Sequence, residues 1–481
     1  MYDRINGDRA GRKFVTSNSL GAASCSVRME IDMLFERKIY KKMKDWKAFS
    51  KGGSALLIEG ARRIGKSTVA EHFAKNEYED YLLLDFSLEP VEVRKNFENI
   101  GNPNVFFRNL FLLKGKELPP GKSVVIFDEV QLFPPARQAI KQLVKDGRYD
   151  YIETGSLISI RKNVQNILIP SEEYKVKMYP MDFEEFLWAT GDRVTMPSVR
   201  DAFQERAPLG AAVHRKIMWD FRTYMAVGGM PQAVEAFVSG TSYKGIDFIK
   251  RNILSLYEED LKKYDADNNE KASVIFRTIP SQLARHKAHF VFSEVDKNAR
   301  YKNYVEAVEF VAESMMGNIC VNVSYPDVSL EMYEERNNFK LYMGDTGLLV
   351  TQVMRSNEDT EDDLYKSLIF NRLGINQGMI MENIVAQMLR TTGHELYFHE
   401  YMYQPEGAER EKKYEIDFLT VRNRKIVPIE IKSSGYSSHR SFDYFTEKYP
   451  IPVQERIIIY GKDVMVRDGI LYIPFYMAGC L

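Results

Sequence analysis

Between Ala55 and Tyr179 short apolar runs alternate with longer segments of helical period. The runs are Ala55–Glu59, Tyr81–Phe86, Val124–Phe127, Tyr151–Thr154 and Tyr174–Tyr179, and Ser67–Asn76 and Pro135–Lys145 are helical segments among them. Strands that are apolar on both faces and alternate with helices predict an α/β fold with a doubly wound parallel sheet. Upstream, an amphipathic helix is predicted over 33–48, stopped by Ser50-Lys51-Gly52-Gly53. Residues 1–28, rich in Gly, Ser, Arg and Asn without apolar period, read as a loose, disordered extension, with Met29 or Met33 as alternative starts.

After Pro180 the pattern turns helical over 181–320, broken at Gly228-Gly229-Met230-Pro231 and at Pro280. Residues 275–345 read as short helices followed by a β-rich segment, a winged-helix-like order. From about 378 comes a helix with Ile380, Ile384, Val385, Met388 and Leu389 on one stripe and Glu382 at its edge. Strands follow at 395–401, 414–421 and 426–432, then a helix and a β-rich tail.

Composition narrows the classes. The 481 residues carry 66 Lys+Arg against 67 Asp+Glu, a formal net charge of −1, so any nucleic-acid surface has to be local. With 44% apolar residues the chain can bury sizeable cores, and no run reaches the roughly 18 apolar residues of a membrane helix. Charged residues from Asp3 to Lys13, with no apolar block, read against a secretory signal and for a cytoplasmic location. Cys25, Cys320 and Cys480 have neither disulfide nor zinc spacing, and the acidic run Glu358–Asp363 reads as a solvated linker.

The strongest chemistry sits at Gly60-Ala61-Arg62-Arg63-Ile64-Gly65-Lys66-Ser67, followed by Thr68, which fits G-x-x-x-x-G-K-[ST] directly after an apolar run and before a helix. Such a Walker A loop wraps phosphate with backbone N–H groups; Lys66 would reach the β/γ oxygens of ATP and Ser67 would ligate Mg²⁺. Val124-Val125-Ile126-Phe127 ends in Asp128 and Glu129, an aspartate placed to hold the metal and a glutamate placed to act as base toward water. Thr154 to Ser156 ends the next run, where a hydroxyl could contact the γ-phosphate or simply form a turn.

These motifs look like the AAA+ branch of P-loop ATPases. Together with Tyr179–Phe186, Gly228–Pro231 and Lys340–Leu349 (Lys-Leu-Tyr-Met-Gly-Asp-Thr-Gly-Leu-Leu), they resemble a prokaryotic family joining an AAA-type ATPase to a C-terminal domain of unknown function with a restriction-endonuclease-like fold. The resemblance implies a P-loop ATPase domain over 29–180, a helical lid over 181–270, a winged-helix-like region over 271–357 and a nuclease-like domain over 358–481. It also implies a sensor at Thr154–Ser156 and an arginine finger, for which Arg148 and Arg161 are candidates.

Near the C-terminus, alternation puts Glu430 and Lys432 on one face of a strand and Ile429 and Ile431 on the other, with Asp417 on a neighbouring strand able to meet Glu430. Two carboxylates beside a lysine suit Mg²⁺-assisted phosphodiester hydrolysis, whereas Glu-x-Lys alone also reads as a surface salt bridge. The set resembles the PD-(D/E)XK nuclease motif, with Glu382 matching its first-helix acid and Ile416 standing where that family has proline. His286 and His289, with Arg285, Lys287, Lys297, Arg300 and Lys302, read as a basic turn facing nucleic acid or solvent.

The leading expectation is an ATP-hydrolysing AAA+ type hydrolase that moves or assembles a nuclease-like, DNA-binding domain. ATP and Mg²⁺ are its expected cofactors, DNA its candidate partner, a homo-oligomer its candidate state, with no membrane. The alternative is a nucleotide-dependent switch or scaffold whose C-terminal domain binds nucleic acid or protein without cutting. A small-molecule phosphotransferase fits less well, since Glu129 favours water as acceptor.

Overall fold

The computed structural model describes residues 35–156, 168–264, 270–284, 289–295, 297, 299–354, 365, 377–432 and 439–481. Residues 1–28, read above as an extension, Arg161, Arg285, His286, Lys287 and the acidic run lie outside the described residues.

Helix α1 (Ile39–Ser50) is followed by β1 (Ala55–Glu59), α2 (Lys66–Glu77), β2 (Asp80–Asp85), α3 (Val91–Asn96), α4 (Pro103–Lys114), β3 (Ser123–Asp128), α5 (Pro134–Asp146), β4 (Asp150–Gly155) and β5 (Glu173–Lys177). The five strands form a parallel sheet in the order β2-β3-β4-β1-β5. Leu56, Ile58, Val124, Ile126 and Ile152 pack on one face with Val69, Ala70 and Phe73 of α2. Ala55, Val125, Phe127 and Tyr151 pack on the other with Ile140 and Leu143 of α5. Two-sided burial is why these strands read as unbroken apolar runs.

Seven helices follow among the described residues: α6 (Phe183–Ala189), α7 (Thr195–Glu205), α8 (Ala211–Val227), α9 (Pro231–Val238), α10 (Tyr243–Tyr264), α11 (Lys271–Ala284) and α12 (Tyr301–Glu313). Then come β6 (Gly317–Val323), β7 (Glu334–Met343), α13 (Thr346–Val353), α14 (Gln377–Thr391), β8 (Leu396–Tyr403), β9 (Lys412–Arg422), β10 (Lys425–Lys432), α15 (Arg440–Lys448), β11 (Arg456–Tyr460), β12 (Met465–Arg467) and β13 (Ile470–Pro474). These strands make one mixed sheet, ordered β12-β13-β11-β10-β9-β8-β6-β7.

That order joins strands from both sides of the expected boundary at 357/358 in one sheet. The antiparallel pair β6–β7 does not close a winged helix of its own, because Cys320, Val321 and Asn322 pair in parallel with Leu396, Tyr397 and Phe398. The C-terminal sheet therefore begins at β6, before the nuclease-like domain was expected to start.

Two motifs mesh where the lid meets this sheet. Asp345 is buried and accepts from Gly229 N at 2.6 Å and from Leu348 N at 2.9 Å, capping α13. A Cβ on Gly229 would lie 2.1 Å from Met181 O, and one on Gly347 would lie 2.4 Å from Gly228 Cα. Only glycine permits so close an approach of backbones. Lys250 of α10 donates to Ala226 O at 2.6 Å and Gly347 O at 3.2 Å, completing the junction.

Candidate functional site

The Walker A loop leaves β1 and enters α2 with Arg63 at φ 66° and Gly65 at φ 88°. Gly60 is pressed on β5, where a Cβ would meet Met178 O at 2.4 Å. Lys66 is buried and donates to Gly60 O at 3.2 Å and Ala61 O at 2.9 Å, so its ammonium lies within the curl of the loop. Burial pushes the Lys66 ammonium down to about 8, while Glu129 and Asp128 favour its charged form.

Strand order does the rest. With β4 between β1 and β3, Thr154 stands beside Asp128, and Asp128 Oδ1 accepts from Ser67 Oγ at 2.7 Å and from Thr154 Oγ1. Ser67 and Asp128 thus already present adjacent oxygens, the hard donor set that Mg²⁺ takes. Glu129 follows at φ 51°, a strained conformation for a residue with a side chain, and its carboxylate accepts from Gln131. Thr68 is exposed on the first turn of α2.

Three braces on this loop left no local mark in the sequence. Arg37 donates to Ile64 O at 2.8 Å and Tyr179 O at 2.7 Å and pairs with Glu185 at 3.2 Å. From α10, Tyr257 OH donates to Arg62 O at 2.9 Å and Asp260 pairs with Arg62 at 2.9 Å. Arg148, a finger candidate, precedes β4, at the opposite end of the parallel strands from Lys66, and is paired with Asp146 at 2.7 Å.

The C-terminal set is carried by α14, β9 and β10. Ile429 packs with Phe418 and with Ile384 and Val385 of α14, which puts Glu430 and Lys432 on the opposite face, where Tyr401 and Tyr472 feel the Glu430 charge. Lys432 Nζ lies 2.7 Å from Glu430 Oε2. Asp417 instead faces a cavity of about 150 Å³ with Glu382, Glu415, Lys340 and His289 in its lining. Its Oδ2 accepts from Ile431 N at 2.7 Å. Asp417 and Glu430 sense each other's charge, and Lys432 senses both. Among the described residues no group of three or more His, Cys, Asp or Glu is arranged to hold a metal ion.

Burial, with Glu382, Glu415 and Glu430 nearby, raises the Asp417 carboxyl to about 8. The folded state therefore holds this proton over a range where the unfolded chain has lost it. The contribution of Asp417 to stability accordingly falls as pH rises from about 4 to about 8. Asp417→Asn is expected to flatten that decline, measured by denaturant midpoints across the same range; an unchanged slope would contradict the assignment.

The five-stranded sheet, the loop on β1 and the paired Ser67–Asp128 define a P-loop nucleotide-binding domain. In agreement, residues 53–187 match the family model described as AAA domain, which supports a nucleotide-binding ATPase. Residues 218–359 and 377–477 match two domains of unknown function, DUF8612 and DUF4143. No curated protein matches the chain. Among solved structures, protein VC1899 from Vibrio cholerae aligns at 9% identity over 88% of this chain and 95% of that one, with a TM-score of 0.18. The Hef helicase domain of Pyrococcus furiosus aligns at 12% identity over 60% and 82%, with a TM-score of 0.17. Neither likeness is close enough to carry an argument. Among the described residues no helix is long and apolar enough to cross a membrane.

Proposed function

We propose that the chain binds and hydrolyses ATP at the Walker A site and uses the nucleotide state to govern a C-terminal domain that binds its partner without cutting it. The observation that carries the ATPase reading is the convergence of Lys66, Ser67, Asp128, Glu129 and Thr154 at the strand ends of one parallel sheet. Gly60 to Thr68 would cradle the phosphates, Lys66 would hold the β/γ oxygens, and Ser67 with Asp128 would hold Mg²⁺. Mg²⁺, when bound, supplies charge neutralisation at the phosphates. Glu129 would take the proton of the attacking water, and Thr154 would fix the Asp128 carboxylate.

One observation favours binding over cleavage at the C-terminal domain: Lys340 already pairs with Glu382 and Glu415. DNA remains the candidate partner. Glu129→Gln should keep ATP binding within about threefold and lower turnover by about 10²–10³, the scale of losing one transition-state group. Equal turnover in the variant would remove Glu129 from this role. In the same preparations, plasmid and linear DNA with Mg²⁺ or Mn²⁺, with and without ATP, should stay intact; cleavage lost in Asp417→Ala would restore the nuclease reading.

A further inference from the structure

The segment Lys340–Leu349 places a lysine in the lining of a cavity that also holds Glu382, Glu415 and Asp417. Lys340 is on β7 and is buried; its Nζ lies 2.6 Å from Glu415 Oε1, 3.1 Å from Glu382 Oε1 and 5.1 Å from the centre of the Phe398 ring. Tyr342, two residues on and on the same face of the strand, donates to the same Glu382 oxygen. Asp417, across the cavity, has one oxygen engaged by the Ile431 N–H. Each of the three carboxylates thus has an oxygen committed to a donor of the chain itself.

We infer that Lys340 is the resident cation of this cavity, and that a divalent ion reaches Glu382, Glu415 and Asp417 only by displacing it. The inference rests on reading these three acids as a carboxylate site of the metal-binding kind. A buried ammonium hydrogen-bonded to two carboxylates offsets one of their two charges and engages an oxygen of each, without the six or more oxygens that a hard cation requires. Displacing it would strand the ammonium among Phe398 and the strand core, because Lys340 is held on β7 and not on a loop that could carry it to water. The pairing is intramolecular, so its strength as a competitor does not fall on dilution.

Mn²⁺ titration of the nucleotide-free full chain, followed by electron paramagnetic resonance, tests this. Wild type and Asp417→Asn should give superimposable isotherms. Lys340→Gln should gain one Mn²⁺ site, at least about tenfold tighter than any wild-type binding at this cavity, and Lys340→Gln/Asp417→Asn should lose it. Lys340→Met, of similar length and uncharged, serves if the glutamine variant does not fold, with thermal unfolding and ATP turnover as controls for integrity. A wild-type site that disappears in Asp417→Asn would overturn the inference while keeping the carboxylate-site reading. Absence of a new site in both folded Lys340 variants would overturn both.

Discussion

Gly229→Ala is expected to leave little folded protein at physiological temperature. The added methyl would lie 2.1 Å from Met181 O and 2.9 Å from Met181 N, so backbone and not a pliable side chain has to move. That backbone is pinned: Met181 N donates to Gly229 O at 2.7 Å, and Tyr224 OH donates to Met181 O at 2.7 Å. On the other side Gly229 N is held by Asp345, itself buried and capping α13. A shift therefore breaks bonds in both the lid and the C-terminal sheet. We expect a loss of about 4 kcal/mol or more, at the upper end for single substitutions. Gly101→Ala, where the methyl meets nothing within 4 Å, is the control and should change stability by less than about 0.5 kcal/mol. Chemical denaturation of the two variants side by side is the check, and comparable midpoints would mean that the junction is not packed as described.

The second large effect is on chemistry. Lys66→Ala should lower ATP turnover by about 10²–10³-fold, because it removes the ammonium held within the curl of the loop where phosphate charge accumulates. Its ammonium already sits against Gly60 O and Ala61 O, so little reorganisation is needed to meet a phosphate. The same residue carries a pH dependence. With the ammonium pushed down to about 8, ATP affinity in the wild type should weaken as pH rises through that value, and the variant should lack this limb. Fluorescent-nucleotide binding and phosphate release across pH would show both; unchanged turnover in Lys66→Ala would mean that the loop is not a nucleotide site.

Much of the N-terminal sheet was legible because each of its strands declares itself locally. Two-sided burial writes Val124–Phe127 as one apolar run, and the Walker A spacing requires only eight consecutive residues. The C-terminal strands were also placed closely, 414–421 against Lys412–Arg422 and 426–432 against Lys425–Lys432. What sequence could not show is pairing across distance. Cys320 joins Leu396 across 75 intervening positions, and nothing in Gly317–Val323 names that partner. Hence β6 and β7 read as a local winged-helix-like pair and not as part of the C-terminal sheet.

Facing was the second blind spot. Alternation put Glu430 and Lys432 on one face, which holds, but the side on which Asp417 stands depends on which face each strand turns to α14. The pairing between β8 and β9 shifts register between Tyr397 and His399, a bulge that sequence spacing cannot reveal. Lys340 was visible within its motif, yet its approach to Glu382 and Glu415 comes only from folding.

The most direct test of the ATPase reading is a single-turnover measurement of phosphate release from γ-labelled ATP, with Mg²⁺, on wild type beside Glu129→Gln. Release by the wild type, with intact ATP retained by the variant, is the expected result. Intact ATP retained by both would contradict hydrolysis at this site and leave a switch driven by nucleotide binding alone.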